Sequence, residues 1–420
     1  MKLLRLLFVA ALLLLSIGNA SAQKYVGGDI SLLTRYEENG ANYKDRDGRK
    51  ITDVLTFLKE QGMNAMRVRL FVEPGIAPLE EKGQGVCQDL DYVVKLGKRI
   101  KDAGLKFMLD FHYSDTWADP QKQRVPASWL MLNTPVYEYI YTYTKECLQA
   151  LVDAGATPDF IQTGNEISFG MLWDDCKVSA NSSWDAYLDT NWSQLATALR
   201  NAGRACREVC PEARIIIHTE QCANNPTLDV AFYSRLKDFD IDYDIIGVSY
   251  YPYFKGPIAK LEEGLSRLEE RFAEKTIMVV ETGCGYHYQV GDDDKQLYPL
   301  TYEGQRRFAE ELVEMLNRHE RVKGLFWWFA EANEYGLDWD TSRVTDNWYN
   351  ASLFDNETGC ALPALYELKG FAAGSTGILS VAGEDGSGTG GWYSLNGSRL
   401  PGKPSTRGIY ITHSQKVLVP

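Results

Sequence analysis

The chain reads as a (β/α)8 TIM barrel, an α/β fold, with a small C-terminal β-rich tail. Three observations predict it. Eight short apolar runs of strand type alternate with helical patterns, as the βα units of a parallel sheet do. The alternating region is roughly 350 residues long, a length that a closed barrel fills as one domain. Polar residues stand at the C-terminal ends of the runs, where a barrel gathers its working groups. A doubly wound open sheet is the alternative. Only Gly27-Gly28-Asp29 follows the start of the first run, which is a weak phosphate-loop signal.

The elements follow in order. Residues 1–22 read as a signal peptide, with basic Lys2 and Arg5, an apolar run from Leu6 to Ile17, and small Ala20-Ser21-Ala22 before the cut. That run is too short for a comfortable membrane span. Export to the periplasm, surface or surroundings of a bacterium is expected. Residues 23–373 form the barrel. Its strands are predicted near Tyr25–Ile30, Asn64–Leu70, Lys106–Phe111, Asp159–Thr163, Arg214–His218, Tyr243–Ser249, Thr276–Val280 and Gly324–Trp328. Helical spacing covers Ile51–Gln61, Leu90–Ala103, Val136–Ala154, Tyr187–Cys206, Pro257–Lys275 and Tyr302–His319. Gly62, Gly104 and Gly203 stand where helices should end. Residues 374–391 are a Gly-rich linker by composition. Residues 392–420 carry two strand signals; they resemble short C-terminal β-motifs that serve sorting or attachment on exported bacterial proteins, and an ordinary β-tail packed on the barrel is the equal alternative.

Bulk composition narrows the partners. A net charge of −13 argues against nucleic acid and favours a neutral polymer over a polyanion. The 24 Tyr and ten Trp serve mostly as core and surface aromatics, leaving a few to line a cleft. Eight cysteines in an exported chain permit disulfides. No Cys/His spacing reads as a zinc site, so no cofactor is required. A monomer without a membrane span is expected.

The chemistry lies in two strand ends. Phe160-Ile161-Gln162-Thr163 runs into Gly164-Asn165-Glu166, and Ile277-Met278-Val279-Val280 runs into Glu281. Two carboxyl groups facing each other are what cleavage of a glycosidic bond needs: one protonates the leaving oxygen and one carries negative charge at the anomeric carbon. Arg67 and Arg69, two apart on one strand, share a face. An inward arginine would keep Glu281 ionised and oriented. Asn165 can donate its amide to a sugar hydroxyl or close a turn. Tyr250 could hydrogen-bond the nucleophile or be a buried structural tyrosine, and His112 sits at the rim. Trp117, Trp173, Tyr251, Trp327 and Trp328 are candidate stacking platforms.

The block Asp110-Phe111-His112-Tyr113-Ser114-Asp115-Thr116-Trp117-Ala118-Asp119-Pro120 resembles the signature of the glycoside hydrolase family 53 endo-β-1,4-galactanases. So do Asn64–Leu70, Gly164-Asn165-Glu166 with Gly170–Trp173, Gly247–Pro252 and Val280-Glu281-Thr282. The resemblance implies a retaining enzyme with Glu166 as acid/base and Glu281 as nucleophile. It implies Asn165 at the sugar 2-hydroxyl and Arg67, with Arg69, behind the nucleophile. His112, Asp115, Trp117, Trp173, Tyr250 and Trp328 would complete the substrate-binding set. Its substrate would be galactan or galacto-oligosaccharides, as in pectin side chains and type I arabinogalactan. Another barrel endo-glycanase, a mannanase or xylanase, and a non-catalytic glycan-binding barrel are the rivals. The chain departs from the family at Gly283-Cys284-Gly285 and at Trp327-Trp328-Phe329-Ala330, which bear on subsite shape. Some members hold a structural calcium after the seventh strand. Asp292-Asp293-Asp294 offers oxygens there, but a solvated acidic loop fits its spacing better.

Overall fold

The computed structural model describes residues 23–178, 191–287, 297–338, 340–346 and 349–372, with short stretches between 392 and 419. The signal peptide, the Gly-rich linker and Asp292-Asp293-Asp294 lie outside the described residues. Eight parallel strands close in sequence order into a barrel. They are β1 (Tyr25–Asp29), β2 (Ala65–Leu70), β3 (Lys106–Phe111), β4 (Phe160–Thr163), β5 (Arg214–Thr219), β6 (Ile245–Tyr250), β7 (Thr276–Thr282) and β8 (Val322–Trp327). Closure is sealed by β1 against β8, with Gly27 opposite Phe326.

The helices form where the sequence puts a stripe and a stop. Helix Leu90–Asp102 is capped by the Asp89 side chain, which accepts from the Tyr92 N–H, and buries Val93, Leu96 and Ile100 on one face. Helix Tyr302–Leu316 is capped in the same way by Thr301. Two barrel helices escape the sequence reading, Pro363–Ala372 after β8 and Pro226–Asp238 after β5. Pro226–Asp238 is capped by Asn225 but buries Leu228, Asp229, Ala231, Phe232, Tyr233, Ser234 and Leu236. Burial on several faces leaves no single apolar stripe to see.

Alternate strand residues face the lumen. Ala65, Met108, Phe160, Ile216, Ile245, Met278, Val280 and Phe326 pack there as an apolar cluster of their own. A far larger cluster fills the space between strands and helices. The lumen cluster sets the register of everything above it, because side chains two and four residues further along each strand point the same way.

The eight cysteines form no disulfide with one another, and six of them are buried. A second unit, within 375–420, contains four short strands: β9 (Trp392–Tyr393), β10 (Arg399–Leu400), β11 (Gly408–Thr412) and β12 (Gln415–Val419). Their order is β10-β9-β11-β12, and β11 and β12 form an antiparallel pair. No helix among the described residues is long and apolar enough to cross a membrane.

Candidate active site

Two residues beyond the lumen cluster the strands turn polar: Arg67 on β2, Asp110 on β3, Gln162 on β4 and His218 on β5. Asp29 joins them from the end of β1. Arg67 is the hub. Its Nη1 meets Asp29 Oδ2 at 2.9 Å, and its Nη2 meets Asp110 Oδ2 and Glu281 Oε1, each at 2.8 Å. Nη2 also donates to Asn165 Oδ1 at 2.9 Å. Three carboxylates around one buried guanidinium satisfy the charge rule for interiors.

The rest of this layer orients the hub. Gln162 donates to Asp110 and to Asn165 Oδ1. His112 takes the Ala118 N–H on Nδ1, so its Nε2 carries the proton toward Asp110 Oδ2, 3.1 Å away. Burial alone would raise the Asp110 pKa, but Arg67 and then His112 outweigh it and hold that carboxyl below its usual value. Burial, then Arg67, pushes His218 well below its usual value, so its imidazole is neutral. His218 Nε2 lies 2.7 Å from Ser249 Oγ and its Nδ1 lies 3.0 Å from Asn165 Oδ1.

Glu166 and Glu281 both line one cleft of about 460 Å³ at the barrel mouth. Beyond β4, Gly164 takes φ +101° and Glu166 takes φ +49°. The left-handed turn breaks the strand's alternation, so Asn165 and Glu166 both reach the cleft. A non-glycine residue in that region stores about 1 kcal/mol or more of strain. Neighbouring bonds hold it: Ile167 N–H to His218 O at 2.9 Å and Gln123 Nε2 to Asn165 O at 2.8 Å. Asn165 donates its amide to Ala118 O at 2.9 Å. On β7 the register with β6 and β8 shifts before Glu281, which pairs with Ser249. That irregularity brings Glu281 inward one position after Val280.

The two carboxyl groups sit in different fields. Burial raises Glu166 well above the usual carboxylate range, and Glu281 and Glu220 raise it further. Lys255 and the Ser249 hydroxyl only partly oppose this. Burial raises Glu281 too, Arg67 pulls it back, Asp110 and Asp29 add to the rise, and the Tyr251 hydroxyl lowers it again, so its net shift is upward but less than that of Glu166. With a guanidinium in contact, Glu281 gives up its proton before Glu166 does.

Some expected residues stand elsewhere. Tyr250 does not reach Glu281: its hydroxyl donates to Gly256 O at 2.7 Å, and its ring lies by Phe308. Tyr251 donates to Glu281 Oε2 at 3.0 Å instead. Counting by twos from lumen-facing Ile245 gives Gly247, Ser249 and Tyr251, so Tyr250 must face outward. Asp115 is outside the cleft lining; its oxygens accept from the Glu73 and Ala127 N–H groups and tie two loops together. Trp173 is likewise outside it, donating to Phe169 O at 3.0 Å under the Lys177 ammonium. Arg69 and His112 are buried beneath the floor. Arg69 pairs with Asp29 at 3.0 Å, its guanidinium 4.5 Å from the Trp117 ring centre. Trp117 and Trp328 do line the cleft, their rings 6.2 Å apart.

Sequence reading placed His218 among the polar strand ends of the barrel mouth, and missed Asp29, Gln162 and Glu220 as members of the site. The same count by twos finds them: Phe160 leads to Gln162, and Ile216 leads to His218 and then Glu220. Glu220 lines the cleft almost wholly buried, held by Gln221 Nε2 at 2.6 Å.

Residues 25–368 match the family model for glycosyl hydrolase family 53. An endo-beta-1,4-galactanase of Bacillus subtilis is 27% identical, over 85% of this chain and 85% of that one. A probable arabinogalactan endo-beta-1,4-galactanase A of Neosartorya fischeri is 31% identical, over 77% of this chain and 88% of that one. Among solved structures, the GH53 catalytic domain of Ignisphaera aggregans superposes with a TM-score of 0.73 at 30% identity, covering 84% of this chain and 98% of that one.

Proposed function

The chain belongs to glycosyl hydrolase family 53, and we propose that it is an exported, retaining endo-β-1,4-galactanase. Its substrate is β-1,4-galactan, as in pectin side chains and type I arabinogalactan. Glu281 attacks the anomeric carbon while Glu166 gives its proton to the departing glycosidic oxygen. A galactosyl-enzyme ester on Glu281 results. Glu166, now ionised, takes a proton from water, which attacks the ester and releases the sugar with its configuration retained. Arg67 and Tyr251 hold the Glu281 oxygens, and Asn165 offers its amide to the sugar 2-hydroxyl.

The observation that carries this reading is the asymmetry of the two glutamates. Of the two glutamates Arg67 touches only Glu281, so one carboxyl is tuned to attack and the other to keep a proton. The printed names of the Bacillus and Neosartorya relatives support galactan as the substrate. The leader-like residues 1–22 and the β-rich tail support export.

Incubation with galactan, mannan and xylan tests the proposal. Galactan alone should yield shorter oligosaccharides, the first product appearing as the β-anomer by proton NMR. Glu166→Gln and Glu281→Gln should each stop hydrolysis and leave galactan binding nearly intact. Cleavage of mannan without galactan would refute the substrate, and a wild-type chain that releases no reducing ends would refute the enzyme.

A further inference from the structure

Two wholly buried polar side chains beneath the glutamates have no part in the mechanism so far, His218 on β5 and Ser249 on β6. His218 Nε2 lies 2.7 Å from Ser249 Oγ. The Ser249 hydroxyl faces the Glu166 carboxyl and favours its ionised form. On the other side of the ring, the Glu166 backbone N–H points at His218 Nδ1 across 3.4 Å. One imidazole therefore meets the acid twice, directly at its backbone and through a hydroxyl at its carboxyl.

The tautomer of His218 sets the direction of these bonds. Nδ1 has two N–H groups near it, Glu166 N at 3.4 Å and Gln162 Nε2 at 3.1 Å. It has one acceptor near it, Asn165 Oδ1 at 3.0 Å, but Arg67 Nη2 and Gln162 Nε2 already donate to that oxygen. A bare Nδ1 satisfies the Glu166 N–H, so the ring proton sits on Nε2 and points at Ser249 Oγ. Burial and then Arg67 keep the ring neutral; Asp110 opposes them and His112 adds to them. With its oxygen accepting from Nε2, Ser249 turns its own proton to Glu166.

That direction matters to an acid/base. A carboxyl has two oxygens, and a proton on the wrong one cannot reach the glycosidic oxygen. The oxygen that accepts from Ser249 is a poor seat for a proton, so the proton stays on the other. Once Glu166 has given it up, the Ser249 bond runs to a carboxylate and strengthens. Ser249 and His218 keep their own protons throughout. Glu166 loses its proton to the departing oxygen and regains one from water at the same atom.

We propose that Ser249, fixed as a donor by His218, is a positioning residue that confines the working proton of Glu166 to the oxygen facing the cleft. The proposal rests on the reading of Glu166 as the acid/base.

Two measurements test it. Galactan needs the acid in the first step, whereas the phenolate of dinitrophenyl β-galactobioside leaves without a proton. Ser249→Ala should lower kcat/KM on galactan by about tenfold, the value of one hydrogen bond to a developing charge. It should leave kcat/KM on the dinitrophenyl substrate unchanged. The basic limb on galactan should move to higher pH, because Glu281 and Glu220 still raise Glu166 and only Lys255 then opposes them. Ser249→Thr keeps the hydroxyl and should restore both the rate and the limb. Equal losses on the two substrates, or a limb that stays or moves to lower pH, would overturn the proposal. Nitrogen-15 NMR of the wild-type chain reads the tautomer without turnover. His218 should carry its proton on Nε2 alone between about pH 5 and pH 8. A proton on Nδ1 in that range would overturn the proposal whatever the kinetics. A wild-type chain inert toward both substrates would refute the galactanase reading, and this role with it.

Discussion

Arg67 Nη2 stands 2.8 Å from Glu281 Oε1 and 2.8 Å from Asp110 Oδ2, so one nitrogen ties the proposed nucleophile to the floor of the barrel mouth. With Asp29 on the other nitrogen, the guanidinium faces three buried carboxylates. Arg67→Ala strips the cation from all three and should destabilise the barrel by about 3–5 kcal/mol, read by denaturant unfolding. Arg67→Lys keeps the charge and loses the fork. It should fold, and kcat on galactan should fall by roughly 100-fold or more.

The two adjacent tyrosines give a sharper comparison. Tyr251→Phe removes a hydrogen bond to Glu281 and should lower kcat by about tenfold or more, with little change in melting temperature. Tyr250→Phe removes only the clamp on Gly256 and should cost about 1 kcal/mol of stability while kcat on galactan holds. The reverse pattern would mean that the β6 register is one residue off.

Activity should be lost with rising pH as Glu166 gives up its proton. Burial, Glu281 and Glu220 raise that group, so the basic limb of kcat/KM should lie above the ordinary carboxylate range. Glu220→Gln removes a negative neighbour, makes the proton easier to lose, and should move this limb to lower pH. Lys255→Met removes a positive neighbour and should move it to higher pH. Shifts in the same direction, or none, would contradict the charge arrangement drawn for the cleft.

Stability should carry its own pH dependence. Burial pushes Asp229 up to about 7, the Thr219 hydroxyl only partly offsetting it. In the unfolded chain the group titrates near 3.9. A raised folded value contributes stability that is present at acid pH and lost as pH rises through 7. Asp229→Asn stays neutral throughout, so its melting temperature should gain on wild type by a few degrees between pH 5 and pH 8.5. A constant difference across that range would mean that Asp229 is not the titrating group.

The barrel was legible because each strand is a short apolar run that ends on a polar residue, and because Asp89 and Thr301 mark where helices begin. The glutamates stood out for the same reason. Legibility stopped where tertiary detail decides. Helix Pro226–Asp238 hides because packing surrounds it. Tyr250 and Tyr251 are equivalent as composition, and only the count from Ile245 separates them. That Glu281 faces inward depends on a register shift in β7 that no local pattern announces. Asp115 and Trp173 belong to a motif that reads as substrate contact, yet their polar atoms are taken up by backbone groups.

The apolar lumen cluster has a consequence for how this chain can change. Four strands measure their polar residue from one plug residue each: Ala65 to Arg67, Met108 to Asp110, Phe160 to Gln162, Ile216 to His218. Inserting or deleting a single residue inside a strand would swing that polar group out among the helices and bring an apolar neighbour into its place. Beyond the strand ends no such gauge operates. Insertions and deletions should therefore be tolerated in the rim segments around Gln121, Gln221 and Phe254 and be nearly lethal a few residues upstream. The length of each strand, more than the identity of the residues around the mouth, is what lineage drift cannot touch.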